Sequence, residues 1–175
     1  MTEIKYIIGD LFAVIEGKEN HIIIPHVCNT IGAWGAGFVV PLGKYFPKAR
    51  ERYIEWAERK DKGIPLQLGL SQNVFINQKL TVVNMIGQLD TGLGINGRPP
   101  IRYWALAKCL RDVAGLAQAL DAEIHAPKFG AGLAGGNWTF IETLINECWC
   151  YLDIPVTIYS LEEAPKIDTT EDVGD

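Results

Sequence analysis

With 175 residues, 48% of them hydrophobic and 21% charged, the chain has the length of one domain with its own core and needs no disulfide to hold it. The formal net charge of -5 resides at one end: from Leu161 to Asp175 six acidic residues stand against Lys166, so residues 1 to 160 are neutral overall. A neutral body lacks the clustered Lys/Arg footprint of a nucleic-acid groove, and any anion it binds must be held by local dipoles.

No apolar run approaches the roughly 20 residues of a membrane span, and the N-terminus has no signal pattern. The cysteines, Cys28, Cys109, Cys148 and Cys150, lack zinc-like spacing. Cys148 and Cys150 fall two apart in a helical pattern and point to different faces. They read as free thiols in a reducing compartment, and a cytoplasmic protein without a metal or cofactor is expected.

Ile4 to Ile8 reads as a first strand, stopped by Gly9-Asp10, with Leu11 to Ile15 following as a loop with an apolar anchor. Asp10 stands at a strand exit. His21 to Val27 is apolar at nearly every position, as a strand covered on both faces should be. It runs through Cys28-Asn29 into Gly32-Ala33-Trp34-Gly35-Ala36-Gly37. A strand, a Gly-rich turn and helix-forming residues in succession make an anion cradle, because glycine lets successive amides point into one concavity at a helix start. The pattern is neither a Walker loop nor a dinucleotide fingerprint.

Phe38 to Phe46 predicts a short helix with Pro41 in its first turn, and Pro47 opens a second over 48–60, whose Tyr53 and Trp56 are expected in the core. Residues 68–76 and 80–86 predict two strands joined as a hairpin through Asn77-Gln78-Lys79. The loop from Gly87 to Pro100, with four glycines and two prolines, reads as a lid, a binding loop or a disordered segment. Ile101 to Leu120 is a helix closed by Asp121, and Glu123 to Pro127 a short strand. A second Gly-rich turn, from Lys128 to Trp138, leads into a helix opened by a capping box, Thr139 to Glu142, and reaching about Tyr151. Ile154 to Ser160 is a last strand. The acidic segment 162–175 has the composition of disorder.

Alternating strands and helices predict an α/β fold, and two Gly-rich turns at strand exits fall at one carboxyl edge of a mainly parallel sheet, where such folds take ligands. Two amide-lined loops at one edge suit a diphosphate.

Gly9-Asp10-Leu11-Phe12, His26-Val27-Cys28-Asn29 with Gly32 to Gly37, and Phe129-Gly130-Ala131-Gly132-Leu133 resemble, in order and spacing, the macro domain family. The resemblance covers residues 1 to 161 and implies a three-layer α/β/α sandwich with a mixed, mainly parallel central sheet, and ADP-ribose as ligand. By position it implies that Asp10 accepts the adenine amino group near the Leu11 backbone, and that Asn29 bonds the distal ribose. Gly32, Trp34, Gly35, Ala36, Gly37 and Phe38 would wrap that ribose and one phosphate. Gly130, Ala131, Gly132, Leu133 and Ala134 would supply amides to the diphosphate, and Tyr159 would pack on adenine. The His before Cys-Asn most resembles the branch containing ADP-ribose-1''-phosphate phosphatases. There His26 would act with Asn29 as general base for water or acid toward the leaving oxygen. A neighbouring branch removes ADP-ribose from carboxylates with a Lys and an Asp; Gln88 and Ala134 stand near those places here and offer neither. A non-catalytic reader of ADP-ribose, free or on an ADP-ribosylated protein, is one alternative, and a de-ADP-ribosylating hydrolase is the other.

Overall fold

The computed structural model describes residues 1–60, 62–92 and 97–161. The acidic segment 162–175 and residues 93–96 of the long loop lie outside the described residues. In chain order the elements are β1 (Lys5–Ile8), α1 (Leu11–Ile15), β2 (Ile22–Asn29), α2 (Val39–Tyr45), α3 (Pro47–Ala57), β3 (Ser71–Asn77), β4 (Leu80–Gln88), α4 (Tyr103–Leu120), β5 (Glu123–Pro127), α5 (Trp138–Cys148) and β6 (Val156–Ser160). The six strands form one sheet in the order β1-β6-β5-β2-β4-β3. All neighbours are parallel except the β3–β4 hairpin, so the sheet is mixed and mainly parallel as expected.

Side chains alternate across the sheet and divide the core in two. Ile23, Val83, Met85, Ile124, Ala126 and Ile158 pack against α4 and α5. Ile22, Ile24, Val74 and Val82 face α1, α2 and α3 through Leu11, Phe12, Leu42 and Ala49. These are the three expected layers, and β2, buried along its length, is their spine. No helix among the described residues is long and apolar enough to cross a membrane.

Several local expectations need correction. Leu11 to Ile15 is a helix, because the Asp10 carboxylate accepts from Phe12 N at 2.9 Å and the Asp10 carbonyl takes Val14 N, closing a first turn that apolar residues then dock. The last long helix starts earlier than Thr139: Asn137 is the cap, its Oδ1 accepting from Phe140 N at 3.0 Å. Glu142, the presumed partner in a capping box, instead takes the Tyr6 hydroxyl across the sheet edge. That helix ends at Cys148, and Cys150 begins a separate 3-10 turn. The helix after Pro47 stops at Ala57, where Arg59 turns left-handed with φ 54°. Helix α4 begins at Tyr103 because Ile101 is held in a bridge to Gln88.

Candidate functional site

The parallel strands β2, β4 and β5 all end at one edge, and there the two glycine-rich turns enclose a cavity of about 540 Å³, inside the range of roughly 300–1,000 Å³ usual for small-molecule sites. Of the residues singled out in the sequence, it brings together His26, Asn29, Gly35, Ala36, Gly37 and Phe38 on one side with Gly130, Gly132, Leu133 and Ala134 on the other. The turns meet at their tips, where a Cβ on Gly37 would lie 3.4 Å from Leu133 Cδ1.

Six of the predicted residues do not line that cavity. Asp10 is exposed and caps α1 through one carboxylate oxygen, and Leu11 is buried in the core. Tyr159 is buried, with its hydroxyl 2.7 Å from His125 Nδ1. Gly32 turns the chain at φ 76° with its α-carbon toward Ala57, and Ala131 packs against the α4–α5 core. Trp34 stands edge-on to His26, ring centroids 5.4 Å apart, and leans on Tyr53. Its indole lies so close to α2 that a Cβ on Gly43 would meet Nε1 at 2.9 Å.

Asn29 builds the first turn from inside. Its Oδ1 accepts from Ile31 N at 3.1 Å and Ala33 N at 3.0 Å, and its Nδ2 donates to the Ala33 carbonyl at 2.9 Å. The Tyr53 hydroxyl, reaching up from α3, donates to the Asn29 carbonyl at 2.6 Å and lies 3.0 Å from Oδ1. An amide side chain suits the place because it satisfies donors and acceptors of one tight turn at once.

His26 lines the cavity, yet is only 2% exposed. Nε2 is 2.5 Å from Asn84 Oδ1. Burial holds its pKa down at about 4, with the Asn84 bond a smaller opposing effect. Cys28 Sγ lies 3.9 Å from Nδ1 and 3.8 Å from Nε2, equally far from both nitrogens and so aimed at neither lone pair. Burial also pushes that thiol well above its usual range, so Cys28 is a poor nucleophile.

The neutral ring gives stability a pH dependence. Cys28, Trp34, Phe38 and Asn84 contact it, and only Cys28 among them titrates. An unfolded His takes up a proton near 6.5 and the folded one not until about 4, so the unfolded state holds more protons between those values. Stability should therefore fall as pH drops through that window, by about 3 kcal/mol in all from this group. Urea unfolding at pH 7.5, 6, 5 and 4 checks it; a His26→Gln curve as steep as wild type would refute the assignment.

Sequence reasoning missed Gln88, Thr91, Gly92 and Lys128, which also line the cavity. The first three open the glycine-rich loop that was read as a lid or binding loop, so its start does border the site. The Gln88 side chain donates to the Asp90 carbonyl at 2.9 Å, and Asp90 N donates to Thr30 Oγ1 at 2.9 Å, tying that loop to the end of β2. Lys128 is the one cation among the described lining residues; its ammonium lies about 6 Å from the Tyr6 and Trp138 ring centroids. Its place directly after β5 was the available signal.

No family model matches the chain. A protein of unknown function from Bacteroides thetaiotaomicron is 41% identical and superposes with a TM-score of 0.84, covering 91% of this chain and 98% of that one. The ADP-ribose 1''-phosphate phosphatase of Candida albicans is 27% identical over 150 residues, 82% of this chain and 92% of its own. A macrodomain protein from Streptomyces coelicolor is 36% identical with a TM-score of 0.76, over 91% of this chain and all of that one. With 36% identity to that macrodomain protein over 91% of its own length, this chain belongs to the macrodomain family.

Proposed function

We propose that the chain binds ADP-ribose and hydrolyses ADP-ribose-1''-phosphate to ADP-ribose and inorganic phosphate. The observation that carries this reading is that His26, the only imidazole among the described residues of the cavity wall, lies with both glycine-rich turns around one space. The turns present backbone to a diphosphate, and Asn29 keeps one Nδ2 hydrogen for a distal ribose hydroxyl. Asp10 and Tyr159 are assigned to the adenine end by family position.

In the proposed reaction a water attacks phosphorus, and the bond between phosphorus and the ribose oxygen breaks. His26 Nδ1 takes a proton from the water and returns it to the departing oxygen, so that the ring ends neutral. A phosphate dianion beside the ring favours its protonated form, which offsets the burial that keeps it neutral at rest.

The burial of His26 favours one other reading, a module that binds ADP-ribose or an ADP-ribosylated protein without chemistry. Incubation with ADP-ribose-1''-phosphate and with mono-ADP-ribosylated protein, followed by product analysis, separates the two. The expected result is phosphate release from the former. His26→Ala should lose turnover by a factor of about 10² or more and still bind ADP-ribose by calorimetry. Hydrolysis at the wild-type rate by that variant would remove His26 from the reaction.

A further inference from the structure

Across β2, β4 and β3 three polar side chains stand in register on the face that α3 covers: His26 pairs with Asn84, and Asn84 with Gln72. The two amides in this row can be oriented from its far end. The Arg52 carbonyl can only accept, so the group 3.0 Å from it must be Gln72 Nε2, which leaves Gln72 Oε1 for Asn84. Asn84 Nδ2 then donates to that oxygen at 3.0 Å and to the Ala49 carbonyl at 3.1 Å, using both its hydrogens. Turning either amide over would set oxygen against a backbone carbonyl oxygen. Asn84 Oδ1 is therefore the atom facing His26 Nε2 at 2.5 Å, and an amide oxygen has no hydrogen to give.

We propose that Asn84, held by the Gln72 side chain and the Ala49 carbonyl, is a positioning residue that fixes His26 as a single neutral tautomer, with its proton on Nε2 and its lone pair on Nδ1. Nδ1 is then the one ring atom able to accept a proton in the cavity. The row begins at backbone carbonyls of α3 and ends at the cavity wall, so helix packing sets the chemical character of the site. Asn84 is fully buried and all its side-chain atoms are partnered, the condition under which a buried polar network orients its members. The catalytic meaning of this assignment rests on the hydrolase reading, but the tautomer itself does not.

Nitrogen-detected NMR of the histidine ring in the full chain tests it. The expected spectrum at pH 7 has a pyrrole-type Nε2 and a pyridine-type Nδ1 for His26, as one species. Asn84→Leu should admit the second tautomer. Asn84→Asp, which sets a carboxylate against Nε2, should raise the His26 titration midpoint by one unit or more; Cys28 is the only other titrating group against the ring. A protonated Nδ1 or a mixture in the wild type would overturn the proposal, as would a midpoint unmoved in Asn84→Asp, and the wild-type spectrum decides even where a variant fails to fold. Phosphate release is measured in parallel. A loss of kcat in Asn84→Leu with KM little changed would support the positioning role in the reaction. Release by neither wild type nor variant would sink the hydrolase reading alone.

Discussion

Asn29→Ala is expected to abolish measurable ADP-ribose binding and to cost on the order of 2–4 kcal/mol of stability, since it strips partners from two amides, a carbonyl and a half-shared phenol in one partly buried turn. The functional loss follows from the structural one. Without the side chain, Ile31 N and Ala33 N have no acceptor inside the turn, and the amides of Gly35 to Gly37 lose the frame that sets them on the cavity wall. Asn29→Asp keeps the acceptors for Ile31 N and Ala33 N but sets a carboxylate oxygen against the Ala33 carbonyl, so it should also lose stability, by about 1–3 kcal/mol. Urea unfolding and calorimetry on both variants make the check. Wild-type affinity in Asn29→Ala would mean that the first turn holds its shape by other means and that the ligand does not need it.

The second large effect is expected from Gly136→Ala, and its contrast with Gly132→Ala carries the interpretation. Gly136 N donates to the Gly130 carbonyl at 2.7 Å, closing the second turn, and a Cβ on Gly136 would run into that same carbonyl while lying 3.0 Å from Ile141 Cδ1. Backbone cannot step aside as a side chain can. The variant should lose more than about 3 kcal/mol or fail to accumulate folded. Gly132 has nothing within 4 Å of the same added atom and no left-handed φ. Gly132→Ala should keep wild-type stability to within about 0.5 kcal/mol and weaken ADP-ribose binding tenfold or more, about 1.4 kcal/mol, because the methyl enters the cavity wall. Thermal unfolding and calorimetry decide it; wild-type affinity in Gly132→Ala would detach this turn from the ligand.

That contrast shows where sequence reading reached and where it stopped. The layers, the strand and helix order and both glycine-rich turns were legible, because β2 and β4 are apolar at most positions and the turns follow strands directly. The glycines within the turns were not distinguishable from one another. Gly32 and Gly136 are demanded by neighbours, Ala57 and the Gly130 carbonyl, that lie far along the chain or back across a turn, whereas Gly35 and Gly132 are open. Spacing alone contains no such information. His26 and Asn29 line the cavity, but the partners that fix them, Asn84 and Tyr53, come from strand register and helix docking. Tyr53 was assigned to the core from its helical spacing and is fully buried, yet its hydroxyl also anchors the turn. Asp10, expected at the adenine end, caps α1 through one carboxylate oxygen, a local use that its place after a strand did not distinguish from a ligand contact.

The attachment of the two turns differs in a way that matters for altering ligand preference. The first is bolted to α3 by the Tyr53 hydroxyl at Asn29 and by Gly32 seated on Ala57, so it behaves as a fixed jaw in which Asn29 and Gly32 cannot be exchanged without disturbing a helix. The second is pinned at its base, through Gly136 to Gly130 and Ala134 to Ile101, while its tip carries Leu133 at 70% exposure. It is the replaceable jaw. A library meant to alter ligand preference belongs at Gly132 and Leu133, which are exposed, and should leave residues 29 to 34 untouched.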